Sequence, residues 1–226
     1  MINWSQIDCV FLDMDGTILD LHFDNYFWLT YLPKVVAERH FPHLSQPEAE
    51  IQATALLTSK YTQVQGTLRW YSTDYWSKEL SLPIIELKRQ LSHLIRYRSD
   101  ALTFLGWLGD NSIKRILVTN AHPDNLALKH QITGIQSHMD HSYISHQLNL
   151  AKEDPLFWHT LSQHIEFDPG RALFIDDTET VLRAAEDFGI QELICIRQPD
   201  STVQGRNNLN FKAIDLFSEL YSKHDD

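Results

Sequence analysis

Cysteine is scarce in this chain: the two present, Cys9 and Cys195, lie in separate apolar runs without C-x-x-C spacing. That excludes a disulfide framework and predicts buried free thiols in a reducing compartment. Basic residues are also in deficit, 19 Lys and Arg against 30 Asp and Glu, for a formal net charge of −11. A surface of that sign disfavours general nucleic-acid or anionic-membrane binding, and an anionic substrate would need local cations or a metal. No apolar run approaches membrane-spanning length. The first residues lack the basic-then-apolar order of a secretory signal, so a cytoplasmic location is expected. Internal repeats and low-complexity tracts are missing as well. What is present is 43% hydrophobic and 11% aromatic residues, enough for a substantial core.

The stretch Val10 to Asp20 organises the rest. An apolar run of strand character ends in two carboxylates one residue apart, Asp13 and Asp15, followed by Gly16 and Thr17. In an open α/β sheet, ligands bind just beyond the carboxyl ends of the strands. Like charges placed so closely need a cation or a shared proton. From Asp20 to about Tyr97 the pattern is helical throughout. Asp24 to Val36 forms a stripe interrupted by Pro33, and Ser45-Gln46-Pro47-Glu48 reads as a capping box opening a helix toward Tyr61. Thr67 to Leu80 carries aromatics on more than one face, and Ile84 to Ile95 forms a further apolar stripe.

Beyond Asp100 strands alternate with helices. Strands are expected at 115–120, near 143–144, at 172–177 and at 193–196, with helices at 101–108, 123–132, 155–164, 179–188 and 214–221. Short links between alternating elements predict a parallel sheet covered on both faces. The expected architecture is a discontinuous α/β core, residues 1–20 and 98–226, with a helical cap domain, 21–97, inserted after the first strand. An insert leaving a strand's carboxyl end is placed to cover the site formed there.

Polar groups recur where strands of the core end: Asp13 and Asp15, then Thr119 with Asn120, then Lys152, then Asp176 and Asp177. This set combines acids able to hold a hard divalent cation, a hydroxyl beside main-chain N–H groups, and one lysine. Mg²⁺ prefers one or two carboxylates, waters and phosphate oxygens, and phosphoryl transfer needs charge neutralisation around an in-line geometry.

Asp13-Met14-Asp15-Gly16-Thr17 resembles the first motif of the haloacid dehalogenase (HAD) superfamily, D-x-D-G-T, and Thr119, Lys152 and Asp176-Asp177 resemble its second, third and fourth. The resemblance implies a Rossmann-like parallel sheet with an inserted α-helical cap. It further implies that Asp13 is a nucleophile forming an aspartyl-phosphate and that Asp15 is the acid and base. Thr119 and the Asn120 backbone would hold the phosphoryl group and Lys152 would neutralise it. Mg²⁺ would sit on the Asp13 carboxylate, the Asp15 carbonyl and the acids Asp176 and Asp177, with Asp176 direct or through water. Segments 20–28, 67–76 and 119–123 are similar to the purine-nucleotide phosphatases of this superfamily that act on GMP and IMP. That likeness implies phosphate release from purine nucleoside 5′-monophosphates. A phosphatase for another small ester such as a sugar phosphate, and a catalytically silent nucleotide-binding module, are the competing readings. A dehalogenase is disfavoured, because Asp15 supplies the acid that ester cleavage needs.

Among Trp28, Trp70, Tyr71, Tyr75 and Trp76, one or two are expected at the substrate, Trp28 included, and the others in packing. Arg69 is a candidate contact to the nucleotide. His22 and His122 flank the motif segments, with a turn hydrogen bond as their simplest role. Asp8, Asp20, Asp24 and the pair Asp225-Asp226 read as solvated charges.

Overall fold

The computed structural model describes residues 2–221 of the chain. Six parallel strands form one sheet: β1 (Cys9–Leu12), β2 (Lys114–Thr119), β3 (His141–Ile144), β4 (Ala172–Asp176), β5 (Glu192–Ile196) and β6 (Ala213–Ile214), in the order β3-β2-β1-β4-β5-β6. β1 is central, and its Phe11 lies in register with Ile116 on one side and Phe174 on the other. Strands buried on both faces are apolar at every position, with alternate residues feeding opposite cores. Val10, Leu12, Leu117, Leu173 and Ile175 join helix Ala101–Asp110 on one face, while Cys9, Phe11, Ile116, Val118 and Phe174 join helices Phe157–Leu161 and Glu179–Phe188 on the other. Both cysteines are free and buried in the second core.

Chain order runs outward from β1 in two directions, through β2 to β3 and from β4 to β6. The reversal places a crevice at the carboxyl ends of β1, β2 and β4. The residues that follow those strands are the ones the motif reading singled out.

Between β1 and β2 the chain forms the expected helical insert. Its first helix runs from His22 to His40 without a break, but Phe27–Tyr31 is a π-helical turn in which the Leu32 N–H donates to the Phe27 carbonyl. Pro33 follows immediately and has no N–H to give its own turn, so the wider turn relieves the clash that would otherwise kink the helix. The helix Gln46–Val64 begins at the capping box, where the Glu48 carboxylate accepts from the N–H and hydroxyl of Ser45. It buries Ala49, Ala53 and Leu57, one face at helical spacing. Thr67 to Leu80 is two helices, Leu68–Tyr71 and Thr73–Leu80, because the Ser72 hydroxyl caps the second by accepting from the Tyr75 N–H. This break explains aromatics on more than one face. Trp76, fully buried, packs edge-on or tilted against Trp28, Tyr61, Trp70 and Tyr75.

The insert leaves and re-enters the core through paired backbone: the Asp20 N–H donates to Arg96 O and the Arg98 N–H to Ile18 O, 3.0 Å each. Asp20, expected in solvent, is instead buried there, accepting from the His22 and Ser201 N–H groups, the Ser201 hydroxyl and Arg96 Nε. Asp8 is exposed as expected and paired with Arg171. Two expected helices shorten. The one at 155–164 spans Phe157–Leu161, and of 214–221 only Ser218–Tyr221 is helical. Ala213–Ile214 adds to β5 instead, since apolar residues beside an open sheet edge satisfy their backbone in the ladder. Asp225-Asp226 lie outside the described residues.

Trp76 braces the insert's aromatic cluster without touching solvent. Trp76→Ala is therefore expected to cost about 3–5 kcal/mol, read as a lower urea midpoint.

Candidate active site

Four core segments deliver their polar groups to one cleft of about 270 Å³, lined by Asp13, Asp15, Thr119, Asn120, Lys152, Asp176 and Asp177. Asp13 follows β1 directly, with its N–H still donating to Ile175 O at 3.0 Å, so the strand ladder fixes where its side chain emerges. Lys152 reaches in beneath it, only 2% exposed, donating to Asp13, to Asp176 Oδ2 at 2.7 Å and to the Val118 carbonyl at 3.2 Å. Oxygens of Asp13, Asp176 and Asp177 lie within 4.8 Å of one another. Two of the three carboxylates thus share one ammonium group, and the third, Asp177, lies beside them without a lysine partner among the described residues.

The electrostatic consequence is plain in all three acids. Burial pushes Asp13 up to about 6, with the Asp176 charge adding to it and Lys152 opposing. Burial likewise lifts Asp176 to about 6 and Asp177 to about 7, the latter reinforced by Asp13 and opposed by Arg206 and Lys152. Burial also works against the charge on Lys152, but Asp13 and Asp176 outweigh it and hold the lysine above its ordinary range. A set of hard oxygen donors with surplus negative charge fits a divalent cation such as Mg²⁺.

Local structure holds each acid in place. The Asp176 carboxylate accepts from the Thr178 N–H at 2.8 Å, and the Asp177 carboxylate from the Thr178 hydroxyl at 3.1 Å. Arg206 donates to the Asp177 carbonyl at 2.6 Å and the Ile196 carbonyl at 2.5 Å, pinning the loop after β4 from a segment that reads in sequence as a plain polar loop. Gly16 has φ +89°, and a Cβ there would stand 2.9 Å from both the Asp177 carboxylate and Pro199. Only glycine allows the first and fourth motifs to close together.

Thr119 is 1% exposed, and its hydroxyl accepts from the Ala121 N–H at 3.0 Å. The Asn120 side chain is fully engaged, accepting from Ser145 Oγ and the Lys152 N–H and donating to Glu153. It shapes the loop, which leaves a ligand only the main chain at that position. Asp15 stands apart from the three-acid group. Its Oδ1 accepts from Lys129, whose ammonium also reaches Asp24 Oδ2 at 2.6 Å, while Lys88 donates to Asp24 Oδ1 at 2.6 Å.

The insert closes the other side of the cleft. Trp28, Trp70 and Tyr71 line it, three of the five aromatics where one or two were expected, while Tyr75 is not in its wall and Trp76 is core. The Tyr71 hydroxyl donates to Glu153, which also accepts from Asn120, so insert and core meet at the rim. Arg69 does not belong to this cleft: it is exposed and lines a separate depression with Thr67, Asn149 and Glu153. It points outward because Trp70 and Tyr71, the next residues of a single helical turn, take the inward directions. His122 caps helix Pro123–Thr133 and pairs with the Thr73 hydroxyl at 2.8 Å, the turn role expected.

Asp24, Lys88 and Lys129 escaped the sequence reading, which set Asp24 in solvent. A signal existed for one of them: Lys88 sits at i+4 from Ile84 and next to Leu87, on the apolar stripe of its helix. A charge in that position must find a buried partner.

Because Asp13, Asp176 and Asp177 titrate higher when folded than unfolded, the native state holds more protons between about pH 4 and 7, and stability falls as pH rises through that window. In chelator, Asp177→Asn should therefore be more stable than the parent by more than about 1 kcal/mol at pH 8, with the excess shrinking to a small fraction of that at pH 4. Urea denaturation at the two pH values measures the difference.

A sequence model of the haloacid dehalogenase-like hydrolases matches residues 7–189. The GMP/IMP nucleotidase YrfG of Escherichia coli (strain K12) is 39% identical over 219 residues, covering 97% of this chain and 96% of the relative. Among solved structures, a HAD phosphatase from Thermococcus onnurineus superposes with TM-score 0.75 at 23% identity, over 95% of this chain and 96% of that one. The L-2-haloacid dehalogenase of Xanthobacter autotrophicus gives TM-score 0.55 at 18% identity, over 84% and 78%. At these identities the two solved structures speak for the fold alone.

Proposed function

The chain belongs to the haloacid dehalogenase-like hydrolases, and from that premise we propose that it is a Mg²⁺-dependent phosphatase of purine nucleoside 5′-monophosphates. The observation that carries the reading is the division of charge in the cleft. Asp13 shares Lys152 with Asp176, and Asp177 lies beside them without a lysine of its own among the described residues, whereas Asp15, two residues further on from Asp13, is held by a different lysine. Two neighbouring carboxylates with separate partners can take separate roles.

In this reading Asp13 attacks phosphorus, forming an aspartyl-phosphate as the bond to the ester oxygen breaks, and Asp15 gives that oxygen its proton. Asp15 then takes a proton from water, which attacks the phosphoryl group, releasing phosphate and freeing Asp13. Thr119 and the Asn120 main chain donate to the phosphoryl oxygens, and Lys152 offsets their charge. Mg²⁺, held by Asp13, the Asp15 carbonyl, Asp176 and Asp177, would supply further neutralisation of the transferring group.

Specificity rests on the insert, residues 21–97, acting as a cap. Trp28, Trp70 and Tyr71 offer flat faces to a base, and Tyr61 and Trp76 stiffen that wall from behind. The relative in Escherichia coli is a GMP/IMP nucleotidase, and its likeness spans the cap as well as the core. Arg69, outside the cleft, is not assigned to the substrate.

With Mg²⁺ present, phosphate release from IMP and GMP should exceed that from AMP, UMP and ribose 5-phosphate, and a chelator should abolish it. Asp13→Asn should lower kcat by about 10³-fold or more with the fold intact. A colorimetric phosphate assay beside circular dichroism tests both. Equal rates on sugar phosphates would remove the purine claim, and no release from any ester would remove the enzyme reading.

A further inference from the structure

Along the insert side of the cleft, where Asp24, Lys88 and Asn125 line its wall beside Asp15, lies a group of charges to which the proposed chemistry gives no role beyond Asp15. Lys88 and Lys129 are each 1% exposed, and Asp24 bridges them, accepting from Lys88 at Oδ1 and from Lys129 at Oδ2, both at 2.6 Å. Lys129 continues to Asp15 Oδ1, and Lys88 also donates to Asn125 Oδ1 at 3.3 Å. Two acids and two lysines thus balance. Apolar rings surround them: Lys88 lies over Phe23, Phe27 and Trp28 at 5.0–5.3 Å, and Lys129 over Phe23 at 5.4 Å.

Stability alone does not account for the arrangement. Desolvating four charges is costly, and apolar residues of similar volume commonly serve a core as well or better. The arrangement is directional instead. Along the chain Lys88, Asp24, Lys129, Asp15, the most exposed side chain is the last, 21% against 1%, 14% and 1%, and Asp15 is the member beside Asp13. Lys129 occupies Oδ1 of Asp15, and Oδ2 has no protein hydrogen-bond partner among the described residues. Lys88 and Asp24 come from the insert, Lys129 and Asp15 from the core.

We propose that Lys129 is a positioning residue for Asp15, aiming its free oxygen at the leaving group, and that Asp24 and Lys88 make this aim depend on the seated insert. The inference rests on the phosphatase reading above, in which Asp15 protonates the leaving oxygen. It predicts a signature that a purely structural role would not produce. An alkyl oxygen leaves badly without a proton, whereas p-nitrophenolate leaves as the anion.

The test is single-turnover kinetics of the Mg²⁺-loaded protein, enzyme in excess, following inosine release from inosine 5′-monophosphate and p-nitrophenolate release from p-nitrophenyl phosphate. For Lys129→Met, inosine release should fall by about 10²-fold while p-nitrophenolate release stays within about threefold. Lys129→Arg should recover most of the lost rate, and Lys88→Met and Asp24→Asn should show the same selectivity to a smaller degree. If Lys129→Met does not fold, Asp24→Asn, which keeps the side-chain shape and removes one charge, decides by the same ratio. Equal losses on both esters, or a change in KM alone, overturn the positioning role and leave the phosphatase reading standing. Should the wild type cleave the aryl ester but not the nucleotide, ribose 5-phosphate serves as the alkyl ester. A wild type inactive on every ester removes both readings.

Discussion

Three neighbouring carboxylates, two buried and paired with one lysine and the third half-buried beside them, set the terms for the rest of the molecule. Asp13, Asp176 and Asp177 repel one another in a setting that solvates them poorly, and Lys152 compensates only part of their charge. Such a cluster survives folding only if the surrounding scaffold is rigid enough to hold it. The scaffold here is the middle of a parallel sheet, where β1 is hydrogen-bonded on both sides and its neighbours β2 and β4 end within two residues of it. Gly16, Thr178 and Arg206 extend that rigidity into the loops. A divalent cation bound among these acids would relieve that repulsion, so a destabilised group of this kind belongs in a site and not in a core.

The second organising fact is that the insert is tied to the core by polar links on opposite sides of the cleft. Tyr71 meets Glu153 and Asn120 at the rim, while Asp24 and Lys88 meet Lys129 behind Asp15. The paired segments at 18–20 and 96–98, anchored by Asp20, carry the backbone between the two regions. Apolar packing is continuous across the junction, so the insert is fastened by burial as well as by ions. The aromatic wall belongs to this same unit, and its orientation toward the acids follows from how the insert sits.

Much of this was legible before any coordinates. The apolar runs of β1, β2, β4 and β5 are short, bounded and buried on both faces, a pattern that leaves little choice but a parallel sheet. The motif acids, Thr119 and Lys152 were legible because each stands at a strand end or in the loop beside it. Asp20 and Asp24 were misjudged for a related reason. A lone carboxylate in a polar stretch reads as solvated, and the cations that bury these two come from Arg96, Lys88 and Lys129, between 64 and 105 residues away. Arg69 erred in the other direction: a cation beside aromatics suggests a ligand, but the one-turn helix Leu68–Tyr71 can aim only some of its side chains inward.

The sequence by itself determined the strand-helix alternation, the helical insert, the capping box at Ser45 and the residue types of the acidic centre, because each is written in local periodicity or in a motif of fixed spacing. Only the tertiary structure decided which charges are partners. Spacing along the chain says nothing about which lysine meets which aspartate once strands from opposite ends of the sequence lie side by side. Lys152 went to Asp13 and Lys129 to Asp15 because the sheet order and the seating of the insert put them there, and Coulomb attraction at low dielectric then fixed the pairs.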